Sequence, residues 1–333
     1  MSVGRRLYAA PMTTGRRQLG RSGLTVSTTG LGCNNFGRPG TATEDLAGTR
    51  AVVHAAIDAG ITLFDTADRY GQPAGRSEAL LGEALGSRRD EIVLATKFGL
   101  DVDGANGPVD GARGSRRYIR AAVHASLRRL RTDWIDLYQL HEPDPVTPID
   151  ETLAALDELV QAGTVRYVGS SNLAGWQVTD AAWTARTERR APFVSAQNEY
   201  SLLRRELERE LLPAARAAGV GVLPFFPLAN GLLSGKYTRS HAPADSRLAR
   251  IKPELLESAP WEALDRLQMF AEARGLTMLH VAFGWLLAQD PVASVIAGAT
   301  RPEQVVANAE AGSAWTPTPT DLAEIDTIFP PPA

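Results

Sequence analysis

Short apolar runs alternate with longer stretches in which apolar residues recur every three or four positions, and this alternation holds along almost the whole chain. The short runs fall near 29–34, 61–66, 91–96, 134–140, 164–170, 193–198, 220–226 and 293–298. They are too brief for helices and mostly apolar throughout, the pattern of strands covered on both faces. Between them lie helix patterns near 44–59, 76–86, 116–131, 150–162, 174–187, 204–218, 260–288 in two pieces, and 302–312. Ile119, Val123, Leu127 and Leu130 illustrate the helical spacing. Strict alternation over eight such units predicts a parallel eight-stranded sheet closed on itself, a (β/α)8 or TIM barrel. Ahead of it, the glycines inside RQLGRSGLTVST (17–28) predict a β-hairpin. Residues 1–15 read as a flexible leader and 16–329 as a single domain.

The competing arrangement is an open doubly wound sheet, whose first turn carries G-x-G-x-x-G. Here that turn reads GLGCNN (30–35), without the third glycine. Two long loops interrupt the regularity, at 99–116 after the third strand and at 236–260 after the seventh. Both leave the C-terminal face of the barrel, where loops read substrate shape, and both are expected to act as lids.

Composition adds exclusions. The 333 residues are 44% hydrophobic and 22% charged, as in ordinary globular proteins. A formal charge of −3 and a pI near 6.0 provide no field to gather nucleic acid or an anionic membrane. The basic runs RRLRTD (128–133) and RTERRAP (186–192) fall at helix ends, where cations meet the negative end of the helix dipole. Cys33, the single cysteine, permits neither an intramolecular disulfide nor a multi-thiolate metal site, which suits a reducing cytoplasm. No run approaches transmembrane length. The sequence sets no oligomeric state.

Four residues carry candidate chemistry. ITLFDTADRY (61–70), EIVLATK (91–97) and WIDLYQLH (134–141) bring Asp65, Tyr70, Lys97 and His141 to the ends of successive strands, where a barrel makes distant residues converge. A phenol beside an ammonium is a general acid in waiting, and the cation is expected to lower the phenol pKa from about 10. A lysine closing a buried strand is costly alone, so Asp65 is its expected partner. His141, in the HEPDP turn, is expected to be a neutral hydrogen-bond donor, since no second ligand completes a metal site beside it. Singly, each has a plainer reading: a ring capping the barrel, a structural ion pair, a core histidine. Convergence on one place is what the plainer readings leave unexplained. His54, His124, His241 and His280 receive no role.

With FDTADRYG (64–71), LATKFG (94–99) and LYQLHEPDP (137–145), the chain resembles the aldo-keto reductase superfamily, from RQLGRSGLTVS (17–27) to GATRPEQVVANA (298–309). The resemblance implies NADP(H)-dependent reduction of a small-molecule aldehyde or ketone, with Tyr70 as general acid, Lys97 and Asp65 tuning it and His141 orienting the substrate. The redox agent must be borrowed, because no side chain delivers a hydride. It implies that Ser171, Asn172 and Gln197 grip a nicotinamide carboxamide, although SSN after a strand also serves as a plain helix cap. Phe225 would offer the nicotinamide ring a flat face. Pro227, Leu228, Gly231, Leu232 and Ser234 would let backbone approach a diphosphate, with Lys236 as counter-charge. A Pro/Gly loop with buried aromatics is the plainer account of that segment. Gly32, Cys33 and Asn34, with Phe36 nearby, would line the floor, unless packing alone explains them.

The last unit resembles the family's clamp for an adenosine 2′-phosphate, formed here by Gly298, Thr300, Arg301, Gln304 and Asn308. Gly298 and Thr300 stand where lysine or another strong phosphate binder is common, and Gln304 where many members have arginine. Arg301 is the remaining guanidinium. NADPH is therefore preferred, with NADH not excluded. Trp176 and Trp183 are expected in the core, and SEALLGEAL (77–85) as an amphipathic helix with its apolar face inward. Two other functions share the fold: a nicotinamide-nucleotide-binding regulatory subunit resembling channel-associated β-subunits, and a phosphate-binding isomerase.

Overall fold

The computed structural model describes residues 14–108, 111–243 and 246–332. Most of the expected leader, residues 1–13, lies outside that range. Its last two residues are anchored: Thr14 Oγ1 donates to Gly60 O at 2.7 Å, and Gly15 O accepts from Thr28 N at 2.8 Å.

An antiparallel hairpin of β1 (Arg16–Gln18) and β2 (Thr25–Ser27) precedes eight parallel strands. These are β3 (Thr29–Gly32), β4 (Leu63–Asp65), β5 (Val93–Phe98), β6 (Ile135–Leu140), β7 (Val165–Ser171), β8 (Phe193–Gln197), β9 (Gly221–Val222) and β10 (Val295–Gly298). Their order is β10-β3-β4-β5-β6-β7-β8-β9, and Val222 closes the ring by bridging Val292 in parallel. Ile296 N also reaches Pro224 O at 2.9 Å. The molecule is thus the (β/α)8 barrel with an N-terminal hairpin that the pattern predicts.

Outside the sheet run α1 (Leu46–Asp58), α2 (Arg76–Leu85), α3 (Arg116–Leu130), α4 (Ile149–Gln161), α5 (Gly175–Glu188) and α6 (Leu211–Ala218). The loop after β9 holds short α7 (Arg247–Ile251) and α8 (Glu254–Glu257), followed by α9 (Trp261–Glu272), α10 (Met278–Leu287), α11 (Pro302–Ala314) and α12 (Pro319–Ile328). The sixth helix begins later than its apolar pattern suggests because Pro213 lacks an N–H and is tolerated only in a first turn. The pattern did not yield α12, although Thr318 and Asp321 cap each other's backbone N–H groups at its start. Among the described residues no helix is long and apolar enough to cross a membrane.

Strand alternation divides the core. Phe64, Leu94, Phe98, Tyr138 and Leu140 face the helices, whereas Leu63, Ala95, Leu137 and Leu223 fill the barrel interior. Leu19 and Val26 of the hairpin join that interior cluster and plug its N-terminal end. One step further along the strands, the inward positions become Asp65, Lys97, Gln139 and Gln197, so the interior grades from apolar at the plug to polar at the C-terminal mouth.

Two packing expectations fail. Trp176 and Trp183 are 63% and 62% exposed, because α5 packs through Val178, Ala181 and Ala185 on the other side of the helix. In α2 the inward face carries fully buried Ser77 and Glu78 as well as leucines, so the helix does more than cover the sheet.

The hairpin plug depends on Gly20, at φ +56°, where a Cβ would lie 2.6 Å from Val194 O and 2.7 Å from Gly219 O. Gly20→Ala is expected to lower stability by about 2–4 kcal/mol, combining the left-handed backbone cost with backbone contacts that cannot relax. Urea unfolding of both proteins measures it.

Candidate active site

The polar layer at the mouth of the barrel is built around one ion pair. Lys97, inward on β5 and fully buried, donates to Asp65 Oδ2 on β4 at 2.6 Å and to Thr66 O at 2.9 Å. Its third donor reaches Tyr70 Oη at 3.4 Å. The other Asp65 oxygen accepts from Gln197 Nε2 at 2.9 Å and Gln139 Nε2 at 3.2 Å. Burial alone would drive the Lys97 pKa down, but the charges and hydrogen bonds of Asp65 and Tyr70 outweigh it and leave the ammonium above its ordinary value.

Tyr70 follows β4 in a turn and contacts the His141 ring edge-on, with centroids 5.7 Å apart. Its phenol corrects the sequence expectation: desolvation pushes its pKa above the ordinary value, and the opposing pull of Lys97 does not offset it. The resting phenol therefore holds its proton. His141, whose backbone N–H donates to Phe98 O at 2.8 Å, has its ring pKa pushed well below the ordinary value, first by burial and then by Lys97. It is neutral, and its Nδ1 is buried with no hydrogen-bond partner.

A cavity of about 800 Å³ opens above this layer. Asp65, Tyr70 and His141 line one end, and Arg301, Gln304 and Asn308, at the start of α11, the other. Lys97 does not line it; the ammonium lies beneath the lining, in contact with Tyr70 Oη. Of the residues expected to meet a cofactor, all but two line this cavity. The exceptions are Cys33, fully buried with its thiol pushed up by desolvation, and Leu232, also buried; both pack into the core, as does Phe36. Gln197 lines the cavity, but its NH2 group is held by Asp65. Asn172, in the left-handed region at φ +58°, donates to His141 O at 2.9 Å and to Ser171 Oγ at 3.1 Å. Gln304 caps its own helix, accepting from Thr300 N at 2.8 Å and Arg301 N at 3.3 Å.

Several contributors escaped the sequence reading. Gln139 was legible as a polar residue in phase with His141 inside a buried strand. Arg38 and Arg250 line the cavity from the loops after β3 and β9, and Arg250 Nη1 donates to Gly40 O at 3.3 Å, joining those loops above it. Asp68, two residues before Tyr70, is fully buried with Asn106 Nδ2 on its Oδ2 at 2.6 Å and no partner on Oδ1. Buried Glu78 stands nearby, accepting from Thr96 Oγ1 at 2.5 Å and Arg129 Nε at 2.6 Å. Arg129 belongs to this internal network, which corrects its assignment to a solvated helix end. Desolvation, and then the charge of Glu78, push the Asp68 pKa from 3.8 to about 8.

A barrel carrying Asp, Tyr, Lys and His at one strand-end pocket defines a class that comparison with known proteins confirms. The family model described as aldo/keto reductase family matches residues 29–329, and the chain belongs to that family. It is 37% identical over 323 residues to L-glyceraldehyde 3-phosphate reductase of Escherichia coli (strain K12), covering 93% of this chain and 91% of that one. It is 39% identical over 293 residues to the uncharacterized oxidoreductase YrpG of Bacillus subtilis (strain 168), covering 86% and 87%. A probable voltage-gated potassium channel subunit beta of Oryza sativa subsp. japonica is 35% identical over 307 residues, covering 89% and 90%.

Asp68 makes a pH prediction. An acid whose folded pKa lies above its unfolded one binds its proton more tightly when folded, so this group's contribution to stability falls as pH rises from near 4 to about 8 and is then flat. Asp68→Asn, which cannot ionise, is expected to remove that slope and to raise the urea midpoint above the parent's at pH 8.5 more than at pH 5.

Proposed function

We propose that this protein reduces the carbonyl of a small aldehyde or ketone to an alcohol with NADPH, residues 16–329 acting as one domain. The observation that carries the proposal is the Lys97 ammonium held between Asp65 and Tyr70 beneath a cavity. A cavity of about 800 Å³ suits a bound cofactor with a small substrate. Among the described lining residues Asp65 is the single carboxylate, already paired, and Lys236, Arg250 and Arg301 supply positive charge that suits a polyanionic dinucleotide. When bound, the nicotinamide would supply the hydride.

The protein's residues do the rest. Asn172 and Ser171 hold the carboxamide, with Gln197 fixed beside them by Asp65. Phe225 lies along the ring, Lys236 meets the diphosphate, and Arg301 with Asn308 receives the adenosine end. Neutral His141 donates to the substrate oxygen. Tyr70 protonates that oxygen as charge develops on it, and Lys97 stabilises the phenolate left behind. The high phenol pKa serves this direction of reaction, because the acid is loaded before the hydride moves.

The relative named as a channel subunit keeps a second reading open, a nucleotide sensor with slow turnover. The complete set of Asp65, Tyr70, Lys97 and His141 favours the enzyme. Tyr70→Phe is expected to lower kcat by about 10²–10⁴-fold while leaving the Kd for NADPH, read by nicotinamide fluorescence, nearly intact. Equal loss of both would remove the phenol from the chemistry. Lys97→Met should follow the same pattern, and parental turnover in that variant would show the ammonium to be dispensable. A parallel titration with NADH reads the cofactor preference.

A further inference from the structure

The cations of the cavity differ in what they already have to do. Lys236 sits at the end of the segment after β9, Arg301 at the start of α11, and Arg250 is turned to the Gly40 carbonyl. Arg38 stands on the loop after β3, whose backbone is hydrogen-bonded to the turn that carries Tyr70. It is half-buried and forms no ion pair among the described residues, and its Nη2 makes a long 3.3 Å bond to Asn34 O. A guanidinium has five donors, and this leaves most of them unspent inside a cavity wall.

Its loop is fastened to the catalytic turn. Gln72 N donates to Gly37 O at 3.0 Å, Gly37 N donates to Thr43 O at 2.8 Å, and a Cβ on Gly71 would sit 3.1 Å from Phe36 O. Arg38 and Tyr70 therefore stand on two backbones in contact, at the same end of the cavity. Burial weakens the guanidinium's hold on its proton. A half-buried cation without a counter-ion is completed by an anion, and a planar fork of donors matches phosphate or carboxylate.

We infer that Arg38 is a specificity-determining residue that binds the anionic group, phosphate or carboxylate, of a small aldehyde whose carbonyl lies at Tyr70 and His141. The inference rests on the reductase reading above and narrows its substrate class. Asn34, which lends its carbonyl to Arg38, lines the cavity together with it.

The test compares the full chain with Arg38→Met and Arg38→Lys, using NADPH with two anionic aldehydes, glyceraldehyde 3-phosphate and succinic semialdehyde, and two uncharged ones, glyceraldehyde and butanal. In Arg38→Met the ratio of kcat/KM for the preferred anionic aldehyde over the uncharged ones is expected to fall about tenfold or more, chiefly through KM, as for loss of a hydrogen-bonded charge. Arg38→Lys should recover part of the ratio as a point charge. Whichever anionic aldehyde loses the advantage identifies the group bound. An unchanged ratio, an equal loss for charged and uncharged aldehydes, or a weakened fluorescence Kd for NADPH would overturn the inference, the last by assigning Arg38 to the dinucleotide. Each of those results leaves turnover of uncharged aldehydes in the parent standing, whereas a parent inactive on all four substrates would remove the reductase reading itself.

Discussion

A lysine and an aspartate buried side by side at the mouth of the barrel constrain everything around them. Either charge alone in that position would cost several kcal/mol, so both must be present and in contact. Their 2.6 Å bond fixes the ends of β4 and β5 relative to each other. The remaining donors and acceptors of the pair then decide the neighbours: Thr66 O and Tyr70 Oη take the ammonium, Gln139 and Gln197 take the carboxylate. A charge that could have been a liability becomes the reference point from which the phenol and the imidazole are placed.

A second polar network lies behind the first and ties the turn that carries Tyr70 to its scaffold. Asp68 N donates to Lys97 O at 3.2 Å, while its side chain meets Asn106 from the loop after β5. Asn106 in turn accepts from Arg129 of α3 at 3.0 Å, and Arg129 binds Glu78 of α2. Glu78 thus pairs directly with the guanidinium, whereas Asp68 reaches it only through Asn106. This network gives α2 and α3 a task beyond covering the sheet, since they hold the segment that leads to Tyr70.

The cavity has a polarity along its length. At one end a neutral imidazole and a protonated phenol offer donors, with Arg38 on the adjoining loop; at the other, Arg301 and the N-terminus of α11 add positive potential. Arg250, reaching Gly40 O from the loop after β9, joins the two walls.

Much of this was written in the sequence. Periodicity alone determined eight strand-and-helix units, the hairpin and the positions of Asp65, Tyr70, Lys97 and His141 at strand ends, because alternation and strand length are local properties. The pairing of Lys97 with Asp65 followed from the cost of burying a lone ammonium. Tertiary structure decided what depends on neighbours distant in the chain. The sense of the Tyr70 pKa shift turned on desolvation outweighing a nearby cation, which no spacing reveals. Which stripe of α5 faces inward left Trp176 and Trp183 outside, and whether Cys33 and Leu232 face cavity or core was set by packing partners from other units. Arg129 read as a helix-end charge in the linear pattern, and Glu78 and Arg38 carried no reading of their own; they proved to be internal or cavity groups only once the barrel closed, because burial is a property of the assembled sheet and its helices rather than of any segment.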